Sequence, residues 1–299
     1  MDRRPVLFLD SGIGGIPYCR HFRCRNPAEN IVYLADRANF PYGKRERDDL
    51  AAALRSLVER LVSLTDPKIV VLACNTATVS AISLLRESFP GLPFVGTVPA
   101  IKPAVSGRRQ GKVGVLGTGR TLADPCIADL AAKYGPGCEI IGIAAPELVE
   151  FVEYRCAVAG PEEKTRTILP YLERFRAAGA DSLVLGCTHF LHLLDEFRRE
   201  AGPAMSVYDS VEGISRRIES ILDGPGCGRG EGGEGRFLVT GDAAGSSWGY
   251  WAGSLGFSLS ALGDPAGEGR GPSGGAEGGL LPEKAGRIGG AGGSGGAFR

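Results

Sequence analysis

The sequence predicts an α/β fold made of two similar α/β lobes with mostly parallel sheets. We expect a pseudo-twofold axis to relate the lobes and an active site to lie in the cleft between them. Two observations support this prediction. Short apolar runs alternate along the chain with amphipathic segments, as in consecutive βαβ units. The second part of this alternating region also repeats features of the first part.

Seven short apolar runs are predicted to be strands, because each is rich in aliphatic residues and is bounded by turn residues. In chain order they are VLFLD (6–10), NIVYLAD (30–36), KIVVLAC (68–74), PFVG (93–96), KVGVLGT (112–118), EIIGIAA (139–145) and SLVLGC (182–187). Apolar residues recur at spacings of three and four in the intervening segments 45–64 and 167–179, which predicts amphipathic helices.

The internal repeat involves two pairs of segments. VLFLDSGIGG at 6–15 resembles VGVLGTGRT at 113–121, and VVLACNTAT at 70–78 resembles LVLGCTHF at 183–190. The intervals also agree, since Asp10 precedes Cys74 by 64 residues and Thr118 precedes Cys187 by 69. A duplicated lobe explains both similarities, although any two strand-to-helix turns share part of this pattern.

The composition is that of a globular protein with a small-molecule partner. The chain has 299 residues with 43% hydrophobic and 23% charged content, enough for a large core and two domains. Its 34 basic and 34 acidic residues cancel, which gives no electrostatic signature for nucleic acid or for an anionic membrane. The apolar run before Asp10 is too short for a signal peptide, and no later run approaches bilayer-spanning length. A cytoplasmic location is therefore predicted.

The C-terminal region changes in composition, because 27 of the 46 glycines lie in 224–299. We expect 224–235 to be a flexible Gly-rich insertion and 236–259 to be ordered. The tail, 263–299, has too few apolar side chains to offset the entropy lost on ordering, so disorder is predicted there.

Two of the eight cysteines, Cys74 and Cys187, stand where predicted strands end. Ligands of open parallel sheets bind beyond these carboxyl ends. One thiolate can remove a proton from a carbon next to a carboxylate while a thiol on the opposite face returns one, and this reaction is racemisation. The competing interpretation is that each cysteine is a small buried hydrophobe.

Polar groups near the two thiols suit this chemistry. His189 lies two residues after Cys187 and can adjust its ionisation. Donors at strand ends can stabilise the enediolate-like charge that develops on the substrate. These donors are Ser11, Asn75, Thr76, Thr118, Thr121 and Thr188.

No cofactor or metal site is predicted. The sequence contains no evident phosphate-binding loop and no pyridoxal lysine motif, and DSGIGG and GTGRT lack the spacing of a dinucleotide-binding turn. Cys19, His21 and Cys24 resemble half of a metal site, but no second pair at zinc spacing accompanies them. The thiols would therefore act without a cofactor.

Eight segments together resemble the glutamate racemases of bacterial peptidoglycan synthesis in order and spacing, over about residues 6–222. They are DSGIGG (10–15), PYGK (41–44), CNTAT (74–78), VPAIKPA (98–104), GTGRT (117–121), PELVEFVE (146–153), GCTHF (186–190) and DSVEGISRR (209–217).

The resemblance implies cofactor-independent interconversion of L- and D-glutamate by two cysteines. Cys74 would act on the proton of the D-enantiomer and Cys187 on that of the L-enantiomer. Asp10 would assist Cys74, while His189 and Glu153 would assist Cys187. Substrate contacts are implied for Asp10, Ser11, Tyr42, Gly43, Asn75, Thr76, Thr118, Thr121, Thr188 and His189.

The resemblance also implies lobe boundaries and an assembly. The first lobe would comprise 1–98 and 208–262, the second 99–207, and family members often form homodimers. The chain departs from the family pattern at Leu191, where the family commonly has proline. In this chain His192 follows Leu191. The chain departs again at Val211, where glycine is common.

Several alternatives remain open from the residues alone. Asp10 can cap the helix that follows it. Glu153 can belong to a solvated helix face with Glu147 and Glu150, and His189 can be a core histidine. The chain can act on aspartate or another 2-substituted acid, or it can be a non-catalytic metabolite-binding or redox protein.

Overall fold

The structure is a computed structural model that describes residues 2–109, 112–222, 232–241 and 247–263. It confirms the α/β fold class, with two sheets of parallel strands. Most of the predicted insertion (224–235) and nearly all of the predicted tail (263–299) lie outside the described residues. Gly235, the last residue of the predicted insertion, is the first residue of a strand.

All seven predicted strands are present. Three further strands bring the number in the described residues to ten. They are β1 (Val6–Asp10), β2 (Ile31–Ala35), β3 (Ile69–Leu72), β4 (Phe94–Gly96), β5 (Lys112–Gly117), β6 (Glu139–Ala144), β7 (Ser182–Leu185), β8 (Ser206–Tyr208), β9 (Gly235–Thr240) and β10 (Ser258–Leu262).

Helices connect the strands. The α-helices of the described residues are α1 (Ile16–Arg25), α2 (Arg47–Thr65), α3 (Asn75–Ser88), α4 (Ile101–Gly107), α5 (Gly119–Ala123), α6 (Pro125–Tyr134), α7 (Pro146–Tyr154), α8 (Pro161–Ala177), α9 (Leu194–Ala201), α10 (Val211–Ile221) and α11 (Ser247–Leu255). Short 3-10 helices cover Arg37–Asn39, Tyr42–Lys44, Thr188–Leu193 and Gly202–Ala204. The two predicted helices correspond to α2 and α8, and α8 begins earlier than its apolar pattern because Pro161 favours the first helical turn.

The strand order is the same in four strands of each sheet. The larger sheet has the order β10-β9-β2-β1-β3-β4, and the smaller sheet has the order β6-β5-β7-β8. The order β2-β1-β3-β4 therefore recurs as β6-β5-β7-β8, in agreement with the repeated sequence segments. Tyr208, the first residue predicted to return to the first lobe, is the last residue of β8 and pairs with Val184 of the smaller sheet.

Each sheet is covered by helices on both faces, as is usual for parallel sheets. Val6 and Phe8 of β1 pack in the same core cluster as residues of α1. Leu7 and Leu9, which point to the other face, pack with residues of α2 and α3. Both faces of β1 are therefore buried, and its polar end at Asp10 is held rigidly.

The carboxyl ends of the central strands carry the predicted functional residues. Asp10 ends β1, and Cys74 follows its neighbour β3. Thr118 follows β5 in the smaller sheet, and Cys187 follows the neighbouring strand β7. Because neighbouring strands are parallel, each pair lies at one edge of its sheet. Within the residues that the structure describes, no helix is both long and apolar enough to cross a bilayer.

Two strand glycines of the smaller sheet make a matched test of its packing. A Cβ atom on Gly114 would lie 2.5 Å from Cδ1 of the buried Phe175, whereas one on Gly142 would lie 3.3 Å from the flexible end of Leu122. We expect Gly114→Ala to lower the free energy of unfolding by about 1–3 kcal/mol through overpacking. Gly142→Ala should change it by less than about 0.5 kcal/mol.

Urea unfolding followed by circular dichroism measures both values. The double variant Gly114→Ala/Phe175→Leu should recover part of the loss, because the smaller side chain leaves room for the added methyl group. Equal stabilities of the two alanine variants would contradict the packing described for the smaller sheet.

Candidate active site

One cavity of about 80 Å³ contains both candidate cysteines in its lining. An ordered water needs about 10–15 Å³ of such space, so the cavity holds a few waters or a small molecule. Its lining combines predicted site residues with others that the sequence did not single out. The lining residues are Ser11, Pro41, Tyr42, Gly43, Lys44, Cys74, Thr76, Thr118, Gly119, Pro146, Val149, Glu150, Cys187 and His189.

Cys74 stands at the junction between a buried strand and a helix. It has extended backbone angles and occupies the N-cap of α3, and its carbonyl accepts the Thr78 N–H at 2.9 Å. Burial, and next the negative charge of Asp10, raise the pKa of the Cys74 thiol well above its ordinary value. The backbone N–H groups of Thr76 and Ala77 act in the opposite direction without reversing the shift. Burial and the charge of Asp10 therefore both favour the thiol form of Cys74 over the thiolate.

Cys187 occupies the matching position in the smaller sheet. It follows β7, has extended backbone angles and is the N-cap of the 3-10 helix Thr188–Leu193. His189, two residues later, lines the same cavity. Both thiols are 6% exposed, so each is shielded from bulk solvent but borders the cavity.

Asp10 lies behind the cavity wall, wholly buried. Its Oδ1 accepts the Gly12 N–H at 2.7 Å, and its Oδ2 accepts the Thr188 hydroxyl at 3.1 Å. Burial raises the pKa of Asp10 to about 6, although the charge of His189 and the Gly12 hydrogen bond act to lower it. Asp10 does not cap the next helix, because the N-cap of α1 is Gly15 and no side chain bonds there.

His189 and Glu153 form a buried pair beside Cys187. Nε2 of His189 lies 3.0 Å from Oε2 of Glu153, and both side chains are 3% exposed. Burial acts to lower the pKa of His189, but hydrogen bonds with Cys187 and Glu153 and the charge of Asp10 raise it well above its ordinary value. Glu153 is thus not on a solvated face, unlike Glu147 and Glu150 of the same helix.

A chain of hydroxyl groups connects the two sheets on another side of the cavity. The Thr76 and Thr118 Oγ1 atoms lie 3.0 Å apart, and Thr118 Oγ1 lies 3.0 Å from Thr121 Oγ1. Asn75 donates from Nδ2 to the Gly186 carbonyl, which also joins the sheets. Its Oδ1 atom is buried and has no hydrogen-bond partner among the described residues, so it can accept one from a ligand.

The predicted site residues therefore divide into two groups. The first group lines the cavity and comprises Ser11, Tyr42, Gly43, Cys74, Thr76, Thr118, Cys187 and His189. The second group lies behind that lining and comprises Asp10, Asn75, Thr121, Thr188 and Glu153.

The sequence did not identify the residues at the solvent-exposed opening of the cavity, its mouth, where Lys44 and Glu150 lie. Lys44 Nζ bonds Glu150 Oε1 at 2.8 Å, and both side chains are largely exposed. Val149 adds an apolar surface to the lining. The signal was present in PELVEFVE, where Val149 and Glu150 lie one helical turn before Glu153, but nothing in the pattern indicated which residues face a cavity.

Ile13 is held by two side chains of the region around the smaller sheet. Its N–H donates to Oε2 of Glu153 at 3.1 Å, and its carbonyl accepts from Nε2 of His192 at 2.8 Å. The His192 ring also packs edge-on against Trp251, with centroids 5.0 Å apart. His192, a departure from the family pattern, therefore fixes the glycine turn that follows Asp10.

The Cys19, His21 and Cys24 cluster has separate environments. Cys19 is buried, Cys24 is exposed, and His21 Nδ1 lies 2.8 Å from the Ser215 hydroxyl. In the part of the chain that the structure covers, no group of three or more His, Cys, Asp or Glu side chains is arranged to hold a metal ion.

Comparisons with known proteins identify the family to which the chain belongs. The family model of Asp/Glu/hydantoin racemases matches residues 20–215. The glutamate racemase of Roseiflexus sp. (strain RS-1) is 41% identical over 227 residues, which cover 76% of this chain and 82% of that protein. The glutamate racemase of Sphingopyxis alaskensis is 40% identical over 222 residues, which cover 74% and 82%.

A solved structure extends the likeness to the fold. The crystal structure of Escherichia coli glutamate racemase in complex with L-glutamate and the activator UDP-MurNAc-Ala has a TM-score of 0.75 at 27% identity. The match covers 87% of this chain and 98% of that chain. These comparisons confirm the resemblance found in the motifs: the chain belongs to the Asp/Glu/hydantoin racemase family, whose reactions are isomerisations.

Proposed function

We propose that the chain is a cofactor-independent glutamate racemase that interconverts L- and D-glutamate by proton transfer between two cysteines. The observation that carries the proposal is that Cys74 and Cys187, which come from strand ends of different sheets, line one cavity. Relatives at about 40% identity are glutamate racemases, which supports glutamate over other 2-substituted acids.

In the proposed reaction, the Cys187 thiolate removes the α-proton of L-glutamate, and the Cys74 thiol delivers its proton to the opposite face. The product is D-glutamate, with a thiol at Cys187 and a thiolate at Cys74. The reverse reaction starts from that state. The raised pKa of Cys74 supports its role as the proton donor for L-glutamate.

Each cysteine has its own helpers in this proposal. Asp10 can accept the proton of Cys74, and its pKa near 6 places it within reach of neutral pH as a base. His189, kept protonated by its partners, stabilises negative charge on the neighbouring Cys187 sulfur. Glu153 fixes the orientation of the His189 ring. These contacts support the role assignments made from the motifs.

The substrate would be bound by neutral donors and acceptors. Ser11, Thr76 and Thr118 place hydroxyl groups on the lining, and these can donate to a carboxylate or to the enediolate oxygens. The N-terminus of α3 also presents backbone N–H groups, which favour an anion. The free Oδ1 of Asn75 can accept from the substrate ammonium group. Tyr42 and Gly43, which also line the cavity, belong to the proposed contact set, and Thr121 and Thr188, which like Asn75 lie behind the lining, complete it.

The proposal includes an architecture and a cellular role. The repeated strand order supports two lobes, 1–98 with 208–262 and 99–207, related by a pseudo-twofold axis around the cavity. By resemblance to the family, the product would supply D-glutamate for peptidoglycan in the cytoplasm. Homodimer formation is part of the same expectation, and light scattering of the purified protein measures it.

Turnover provides the direct test of the reaction. We expect purified protein in deuterated water to abolish the optical rotation of L-glutamate and to exchange its α-proton for deuterium. L-aspartate should react at least about 100-fold more slowly, because its shorter side chain leaves binding groups unpaired. Polarimetry and proton NMR measure the two processes. Absence of both signals with a folded preparation would refute the racemase, and faster turnover of aspartate would select the alternative substrate.

Both cysteines should be required for racemisation, and their substitutions should affect the two enantiomers of glutamate differently. We expect Cys74→Ser and Cys187→Ser each to lower the rate of racemisation about 10²- to 10⁴-fold, the usual contribution of a general acid or base. Residual α-proton exchange should be greater with D-glutamate in Cys187→Ser and greater with L-glutamate in Cys74→Ser, because the remaining cysteine faces that proton.

Cys156→Ser is the matched control, because Cys156 is buried to 4% exposure but does not line the cavity. NMR exchange rates and circular dichroism spectra of the three variants separate loss of chemistry from loss of structure. A rate near that of the wild type in either active-site variant would contradict the two-base assignment.

Protonation of Asp10 should cause the loss of kcat/KM at low pH, which is the acid limb of the pH profile. Its carboxyl is protonated below its pKa of about 6 and cannot then accept the proton of Cys74. We therefore expect kcat/KM to fall by about tenfold per pH unit below pH 6 and to level off above it. Asp10→Asn, which keeps an oxygen for the Gly12 N–H, should be less active and should lack this limb. The same limb in the variant would exclude Asp10 as its source.

A further inference from the structure

Asp36 is a buried carboxylate outside the set of residues predicted for the site. It follows β2 and is 1% exposed. Its Oδ2 accepts the Tyr42 hydroxyl at 2.8 Å and Nδ2 of Asn39 at 2.9 Å, while its Oδ1 accepts the Thr240 hydroxyl at 2.7 Å. Every one of these partners is uncharged, and the ion pairs described for the chain do not include Asp36.

A buried carboxylate held by neutral donors is costly to desolvate compared with a neutral side chain of the same size. The hydrogen bonds that Asp36 accepts therefore indicate why a carboxylate is buried there. They converge on the segment from Arg37 to Lys44, which contains two 3-10 helices and whose last residues line the cavity. Tyr42 itself is 1% exposed and borders the cavity beside Gly43.

The other end of the network is the end of β9. The Thr240 hydroxyl donates to Asp36 and accepts the N–H of Ala38 at 3.0 Å. Its hydrogen is thus committed to the carboxylate, which fixes the direction of both bonds. Strand β9 pairs with β2 in the larger sheet, so Asp36 anchors the cavity segment to the rigid sheet from two strands.

We infer that Asp36 is a positioning residue for the reaction, which holds Tyr42 and the turn after it against the substrate. The inference rests on the proposed function. Asp36 does not border the cavity, so it acts through Tyr42 and not by direct contact with a substrate. A segment that moves away from the cavity loses ground-state and transition-state contacts alike, and such a loss raises KM more than it lowers kcat.

A double-mutant cycle tests this inference with Asp36→Asn, Tyr42→Phe and the combined variant. An asparagine keeps the shape of the side chain but has one acceptor oxygen and one NH₂ group, so it cannot accept from Tyr42 and from Thr240 at the same time and one anchor of the cavity segment is lost. We expect Asp36→Asn to lower kcat/KM for glutamate about 10- to 100-fold, mainly through KM, as for loss of a hydrogen bond to a charged group. In the Tyr42→Phe background, the same substitution should lower it less than about threefold.

Glu219→Gln is the matched control. Glu219 is also a buried carboxylate, bonded by Arg25 and Asn26, but it lies on α10 and does not border the cavity. It should leave KM within about twofold of the wild type, even where urea unfolding shows lower stability. A purely structural role of Asp36 predicts similar KM values for Asp36→Asn and Glu219→Gln.

Three outcomes separate the possibilities. A KM of Asp36→Asn within twofold of the wild type, or effects of Asp36→Asn and Tyr42→Phe that multiply independently, would overturn the inference while the racemase proposal stands. A wild-type protein without turnover of any substrate would overturn the proposed function and this inference together. Coupled losses in KM, with the control unaffected, would establish Asp36 as the anchor of the cavity segment.

Discussion

Buried polar contacts between the ends of the two sheets are the constraint on which the cavity depends. Thr188 donates to Asp10, the Ile13 N–H donates to Glu153, and Asn75 donates to the Gly186 carbonyl. In each case one partner lies at the end of a strand of the larger sheet or just after it, and the other belongs to the region around the smaller sheet. Because these groups are removed from water, breaking any of the contacts leaves a buried group unpaired, at a cost of about 1–3 kcal/mol. The distance between the two thiols is thereby held by the fold and not by the thiols themselves.

Close approach is possible only because the turn after Asp10 is made of glycines. A Cβ atom on Gly12 would lie 2.3 Å from Oε2 of Glu153, and one on Gly14 would lie 2.4 Å from Nδ1 of His189. The turn after Asp10 therefore fits closely against His189 and Glu153, the buried pair near Cys187. This contact couples the two halves of the site electrostatically: the charge of Asp10 contributes to the raised pKa values of both Cys74 and His189. Because these ionisable groups interact, a change of protonation at Asp10 changes the electrostatic environment of both Cys74 and His189.

Local sequence pattern was sufficient to predict seven strands, two helices and the position of two cysteines at strand ends. Apolar runs with turn residues at their ends identified seven strands, and parallel strands bring their ends together. Strand β8 was not predicted because Val207 is its only aliphatic residue, and its pairing with β7 shows that it is a strand. The burial of Glu153 could not be predicted from the neighbouring sequence either. Its helix has acidic residues at 147, 150 and 153, and only contact with Ile13 and His189 distinguishes the buried one.

Asp36 illustrates the same limit more strongly. Its partners Tyr42 and Thr240 lie 6 and 204 residues away along the chain, and the second partner belongs to a strand that follows a Gly-rich segment. Nothing in the sequence around Asp36 distinguishes it from a residue that ends a strand at the surface. Residues that position others depend on long-range contacts, so they are the part of a site that a single sequence reveals least.

The contacts around the cavity differ in strength between its floor, where Asp10 and Glu153 are bonded, and its mouth, where Lys44 and Glu150 pair. At the floor, the partners of Asp10 and Glu153 are buried, and hydrogen bonds to charged groups in such places contribute about 1.5–3 kcal/mol. At the mouth, Lys44 and Glu150 are exposed, and a pair of that kind contributes about 0–1 kcal/mol and is weakened by salt. Any ligand that contacts Cys74 or Cys187, each of which is 6% exposed, requires an opening of the cavity. Separating Lys44 from Glu150 at the mouth costs less than separating the buried contacts of Asp10 and Glu153, so access on the Lys44 and Glu150 side leaves the arrangement of the buried carboxylates and the two thiols intact.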